Sequence, residues 1–178
     1  MASAHQNLRK KQLLDAALAC FIRYGYAKTA LDDVAQEAKV SRSLLYAYFS
    51  DKKDLFISLI NVLLQQQNRK TIEVLRQKIS KKEKFLRILE LWSVDLYALG
   101  ANSSHGHELI SEGHRIWEEI GLKYRKILIR SLSDFVGGPA EAEIVAMAIK
   151  GLQADHPSVA IMRKRTRLLA ELSWRDGR

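Results

Sequence analysis

Two groups of side chains in this sequence have types and spacings that could do chemistry. The first is HGHELISEGH, residues 105–114, which gathers His105, His107 and His114 with Glu108 and Glu112. A metal site needs its ligands on one helical face at a fixed spacing. His107 and His114 are seven apart, but Glu108 and Glu112 point elsewhere, Gly113 is expected to interrupt the helix, and no HExxH pattern occurs. The sequence also has no nucleophile elbow, no phosphate-binding glycine loop and no cysteine cluster. This stretch therefore reads as a polar helix end and loop, and no catalytic residue, metal or cofactor is expected. The second group is SRSLLYAYFSDK, residues 41–52. Leu45 and Phe49 are four apart and take the face a core would use, while Arg42, Ser43, Leu44, Ala47 and Tyr48 fall on the other side. A guanidinium can fork onto guanine O6 and N7, Leu44 and Ala47 can meet thymine methyls, and Tyr48 and Lys52 can reach phosphates. That chemistry is the reading of a DNA major groove.

Such a probe must be held by its neighbours, because a helix of about seven residues does not persist alone in water. The flanking residues supply them. Thr29 is expected to cap a helix whose first turn holds Asp32 and whose apolar stripe is Val34, Ala35 and Ala38. Lys39-Val40 makes the turn, and Ser41 caps the probe helix. Asp51, with Asp54 three places on, caps a third helix that buries Leu55, Phe56, Leu59, Ile60 and Leu63. Upstream, Leu14, Ala17, Leu18 and Phe21 form an amphipathic stripe that ends at Gly25.

Residues 9–60 resemble the N-terminal DNA-binding domain of the TetR family of bacterial transcriptional regulators. The resemblance runs through Ala17, Phe21, Gly25, Thr29, Val34, Ala35, Ala38, Val40, Ser41, Leu45, Tyr46, Phe49, Lys52 and Leu55. It implies phosphate contacts from Thr29 and from the run Arg9-Lys10-Lys11, and a phosphate or base-edge contact from Tyr46. It also implies that the last two helices pair with their copies as a four-helix bundle, and that repression is the usual role. Three positions depart from the family pattern: Lys39 stands where Gly is usual, Ser43 where Gly or another small residue is, and Ala30 where Thr or Ser is. A side chain at a left-handed position 39 costs roughly 1 kcal/mol, and Ala30 removes a phosphate-contacting or capping hydroxyl.

Composition agrees with this reading. The 178 residues carry 29 Lys/Arg against 20 Asp/Glu, a net charge of +9, which favours polyanions. Residues 69–84 hold seven of those cations against two Glu, and 163–178 are also basic; both runs read as solvated helix faces. The single cysteine, Cys20, forbids an intrachain disulfide and reads as a small buried hydrophobe. No apolar stretch is long enough to cross a membrane, and the start of the chain has no signal core, so a cytoplasmic protein without membrane contact is expected.

The expected fold class is all-α: a helix-turn-helix DNA-binding domain over residues 1–55, then a helical effector-binding and dimerisation domain over 56–178. Helices are expected at 51–79, 83–99, 105–113, 115–136, 139–153 and 157–174, with Pro139 and Pro157 in first turns. The helix from Asp51 crosses between the domains and couples them rigidly. The last two helices carry small residues and the apolar positions Ile144, Met147, Ile149, Ile161, Leu168 and Leu172, the expected homodimer face. Between 83 and 136 the aromatics Trp92, Tyr97, Trp117, Tyr124 and Phe135, with Asp95, His107 and Arg115, suggest an apolar pocket for an unidentified small molecule.

Two classes of function remain: a ligand-responsive regulator of a palindromic double-stranded DNA operator, and a small helical enzyme or carrier. An enzyme has no use for Arg42, Tyr46 and Tyr48 displayed beside Lys52, which favours the regulator. A constitutive DNA-organising protein without an effector is the alternative.

Overall fold

The computed structural model describes residues 2–175, with side chains described outside residues 2–4 and 117–120. Every regular element among the described residues is helical. Helix α1 spans Ala2–Lys28, α2 Leu31–Glu37, α3 Arg42–Tyr46 and α4 Lys52–Arg76. Leu13, Phe21, Val34, Leu45, Phe49 and Leu55 meet in one core, each at most 1% exposed. Ile116, far along the chain, packs into the same core.

The caps show why the short helices start where they do. Ser41 Oγ accepts from Leu44 N at 3.2 Å and Asp51 Oδ1 from Asp54 N at 2.8 Å. Thr29 is not the cap expected of it. Its hydroxyl donates to Gly25 O at 2.6 Å, and the residue is 2% exposed. Helix α2 is capped instead from Ala30, whose backbone N–H donates to Asp33 Oδ2 at 2.8 Å. Lys39 does adopt the left-handed conformation, φ 53. Gly25, φ 79, breaks α1 one turn before its end, and a Cβ there would collide with the Glu108 carboxylate.

The second half is built from α5 (Lys81–Glu90), a π-helical turn (Leu91–Asp95), α6 (Leu96–Ala101), α7 (Gly106–Val136), α8 (Pro139–Gly151) and α9 (Val159–Ser173). The stretch expected as a helix at 83–99 is thus a longer helical run interrupted by the π turn. The turn buries Trp92, Ser93 and Val94 together, and Ser93 Oγ lies 2.9 Å from Thr166 Oγ1 of α9. The two helices expected at 105–113 and 115–136 are one. Gly113 sits inside α7 and does not interrupt it; a glycine there costs about 1 kcal/mol, which the packing of Leu109, Ile110 and Ile116 outweighs. Pro139 stands in the first turn of α8, but Pro157 does not stand in that of α9. It precedes the cap Ser158, and its carbonyl accepts from Tyr97 Oη at 2.6 Å. Helix α8 packs along α7 and α9 crosses α5, burying a second core around Phe85, Ile88, Leu89 and Leu132.

Candidate nucleic-acid interface and cavity

Helix α3 has two unlike faces. Leu45 and Phe49 are 0% and 1% exposed, and they fix the helix against α1, α2 and α4. Opposite them Ser41, Arg42, Ser43, Tyr46 and Ala47 are exposed, Tyr46 at 48%. Leu44 and Tyr48 are half-buried. Tyr48 leans on the core beside Phe49, ring centroids 6.3 Å apart, so less of it faces outward than its position suggests. Arg42 Nε lies 2.7 Å from Asp32 Oδ1 of α2, which orients the guanidinium at the start of α3. Ser43 Oγ is 3.0 Å from Ser41 Oγ.

The residues expected to contact phosphates divide. Arg9, Lys10 and Lys11 are exposed on α1. Arg9 bonds Gln12, Lys11 pairs with Asp15 at 2.6 Å, and Lys10 lies over the Phe49 ring at 5.6 Å, which sets the run beside the core of the head. Thr29, expected to touch the DNA backbone, is buried and cannot. Lys52 is spent within the fold: its ammonium donates to Tyr26 O and Ala27 O, each at 2.9 Å, and lies over the Tyr26 ring. It ties the start of α4 to the end of α1, where carbonyls of a finishing helix attract a cation.

A cavity of about 200 Å³ lies behind this head. Leu18 and Ile22 of α1, Leu63 of α4, Trp92, Ile110 of α7 and Ile149 of α8 are among the residues lining it. The reading of 83–136 found Trp92 and Tyr97 but missed the share of α1 and α4. Leu18 and Leu63 looked like ordinary core positions, and only the packing of α1 on α7 shows otherwise. Trp92 Nε1 donates to Thr71 Oγ1 at 2.9 Å, so the indole's polar edge is satisfied away from the space. One edge of the cavity is polar, where His114 Nε2 lies 2.9 Å from Gln153 Oε1.

Four residues expected at the pocket do not line it. Asp95 is exposed. His107 is exposed and lies against His156, ring centroids 4.0 Å apart and planes tilted by 46°. Arg115 pairs with Glu112 on its own helix. Tyr124 is 2% exposed and donates to Asn61 at 3.3 Å, inside the second core. Trp117 falls outside the residues whose side chains are described.

The face expected to pair with a second copy is outward on α8 and α9 except at Ile149. Ile144, Met147, Ile161, Leu168 and Leu172 are exposed by 67, 60, 48, 48 and 77%. Ile149 is not part of that face: at 6% exposure it turns inward to the cavity, because residue 149 lies on the side of α8 that packs on α7. Leu122 of α7, 68% exposed, was not anticipated. Arg125 of α7 pairs with Glu143 of α8 at 2.6 Å, which puts Leu122 on the flank of the same helix pair.

Residues 13–59 match the family described as bacterial regulatory proteins, tetR family. The chain is 33% identical over 81 residues to the uncharacterized HTH-type transcriptional regulator YhgD of Bacillus subtilis, a match covering 46% of this chain and 42% of that protein. It is 48% identical over 56 residues to the HTH-type transcriptional regulator HbdR of Aromatoleum sp., covering 31% of this chain and 24% of the relative. The chain thus spans less than half the length of these curated relatives. The crystal structure of the transcriptional regulator FadR from Bacillus subtilis, in complex with stearoyl-CoA, superposes with a TM-score of 0.63 at 21% identity over 92% of this chain and 97% of that one. That likeness shares the fold across both halves, while the sequence matches concentrate on the head. The family match falls on the helices that carry the exposed face of α3 and identifies residues 13–59 as a domain of the tetR family of bacterial regulatory proteins.

Proposed function

We propose that the chain is a ligand-responsive transcriptional repressor that binds a palindromic operator as a homodimer and is released by a small molecule. The observation that carries the reading is the two-faced α3, with Leu45 and Phe49 locked inward and Arg42, Ser43, Tyr46 and Ala47 free on the outside. Arg42 reads a guanine, Ala47 and the edge of Leu44 meet thymine methyls, and Tyr46, Ser41 and Lys10 contact the backbone. The outward apolar residues of α8 and α9 supply the two-fold interface, and two-fold symmetry of the protein is what a palindrome mirrors.

The cavity supplies the switch. An apolar hole of roughly 150 Å³ takes up a molecule the size of benzene, so this one admits an aromatic or short acyl body. The FadR relative's acyl ligand is in keeping with an apolar occupant. Because α1 and α4 form part of the wall, an occupant pushes directly on the helices that carry the reading head. It shifts affinity only by binding the two head spacings unequally, typically by 1–3 kcal/mol.

Selection of bound sequences from a random duplex pool tests the first part. The expected result is an enriched palindrome whose guanine preference is relaxed by Arg42→Ala, at about 1–3 kcal/mol of discrimination. Recovery of no common sequence rejects operator reading and leaves the DNA-organising alternative. Trp92 fluorescence tests the second part: a metabolite that changes it must also change operator affinity.

A further inference from the structure

The end of α4 and the start of α5 carry a cluster of cations without side-chain partners among the described residues. Between residues 69 and 82 there are six, Arg69, Lys70, Arg76, Lys78, Lys81 and Lys82, against one acid, Glu73, a net charge of 6 − 1 = +5. All six are exposed, and among the described residues none of them makes an ion pair or a side-chain hydrogen bond. Their neighbours Lys84 and Arg87 behave as structural cations do. Lys84 donates to the carbonyl of Leu75 at the end of α4, and Arg87 pairs with Glu83.

The placement of Lys81 and Lys82 also works against the fold. They occupy the first turn of α5, directly after its cap Ser80. That is the positive end of the helix, where cations are disfavoured and acids preferred. A face that only needed solvation would alternate its signs and keep lysines at helix C-termini. Here the charge accumulates at one corner, the end of α4 and the start of α5.

We propose that this corner is a second nucleic-acid surface, one that grips the phosphate backbone of a duplex without reading its sequence. Unpaired flexible cations without base-reading geometry are what backbone binding requires. An anionic bilayer is the competing polyanion, and it would need a continuous apolar face beneath the charges. The exposed large apolar residues here are Ile72 and Leu75, at 41 and 37%, and no aromatic accompanies them in residues 69–82. Helix α4 has 25 residues, so at about 1.5 Å per residue the corner stands about 37 Å from the head. The inferred occupant is a second duplex, which the protein bridges to the one at the head. This inference rests on the proposed reading of the head only for the bridging; the grip at the corner stands by itself.

The test uses the full chain in four forms: wild type; a head variant with Lys10→Glu, Lys11→Glu and Arg42→Glu; a corner variant with Arg76→Gln, Lys78→Gln, Lys81→Gln and Lys82→Gln; and both sets combined. Donor- and acceptor-labelled random-sequence duplexes are mixed with each, and energy transfer reports bridging. Wild type should bridge and the corner variant should not, while still binding a single duplex. The head variant should keep duplex binding with a log–log salt slope near −5, at about 0.9 per neutralised phosphate, and the combined variant should lose it at least tenfold. The corner variant should melt close to wild type, since Lys81 and Lys82 oppose the α5 dipole while Arg76, in the last turn of α4, complements that of its own helix. The proposal is overturned if the head variant binds no duplex while wild type does, if the corner variant bridges as well as wild type, or if anionic vesicles of phosphatidylserine capture the head variant and duplex does not. If instead the head variant binds as tightly as wild type, the corner stands and the reading of the head falls.

Discussion

Helix α3 and the α8–α9 pair arrange the same kinds of residue in opposite ways. In α3 the large apolar side chains point in and the polar ones out. In α8 and α9 Ile144, Met147 and Leu172 point out, at 60–77% exposure, while Thr166 is buried against Ser93. Each face suits a different partner. A polar, cation-bearing face costs nothing to leave in water and waits for a charged groove. An apolar face of this size is costly to leave in water and suits a second copy of itself.

The largest expected effect comes from exchanging the two environments within the α8–α9 pair. Ile149→Glu puts an unpaired charge into the cavity wall and should cost about 3–5 kcal/mol, read as a much lower melting temperature. Leu172→Glu, on the outward face, should leave the melting of the subunit almost unchanged and convert a dimer to a monomer in light scattering. If Leu172→Glu unfolds the chain, or the wild type is monomeric at micromolar concentration, the outward face has been misassigned.

Lys52 sharpens the contrast between cations that read and cations that build. Lys52→Met keeps the aliphatic stem and removes two hydrogen bonds from a charged donor, so it should cost about 1.5 kcal/mol of stability. Its effect on the salt dependence of DNA binding should be small. A loss of salt slope by about one unit, with stability intact, would return Lys52 to the phosphate contacts.

The head was legible in the sequence because its signals are local. Turn, caps and stripe all fall within residues 39–51, and Ser41, Asp51, Leu45 and Phe49 stand as expected. Thr29 misled because a hydroxyl before a helix serves equally well bonding back to the helix it follows. Lys52 misled because a cation near DNA and a cation capping a helix look the same in one dimension. The cavity was least legible. Its walls come from α1, α4, α7 and α8, brought together by packing between residues far apart in the chain, so Leu18 and Ile149 could not be told from ordinary core or interface positions. Gly113 failed as a helix breaker for the same reason: the packing that holds α7 together is invisible to local propensity.

Lys39 offers a smaller effect with a sign opposite to the others. It occupies the left-handed region, where a Cβ is penalised and glycine is not. Lys39→Gly should therefore stabilise the head by up to about 1 kcal/mol, partly offset by the extra freedom of glycine in the unfolded chain. A lower melting temperature would mean that the Lys39 side chain contributes more than its backbone costs.

The smallest effect lies at the connection between α8 and α9 and appears only in acid. Asp155 faces Arg165 in a two-pronged pair, Nη1 to Oδ1 at 2.5 Å and Nη2 to Oδ2 at 2.7 Å, and Arg165 also holds the Leu152 carbonyl at 2.9 Å. The Arg165 hydrogen bonds hold the Asp155 carboxyl down at about 2, against an ordinary 3.8. A carboxyl depressed in the folded state favours folding above its ordinary value and gives that advantage up as pH falls through its folded one. The contribution is thus complete above about pH 4 and lost between about pH 4 and pH 2. Asp155→Asn removes this dependence, so the wild type should lose more stability than the variant across that window and the two melting curves should draw together. The difference should be small, because the pair is exposed and screened by salt. It should shrink further at high ionic strength. A gap between the two proteins that widens as the pH falls below 4 would show that Asp155 acts through something other than its bond to Arg165.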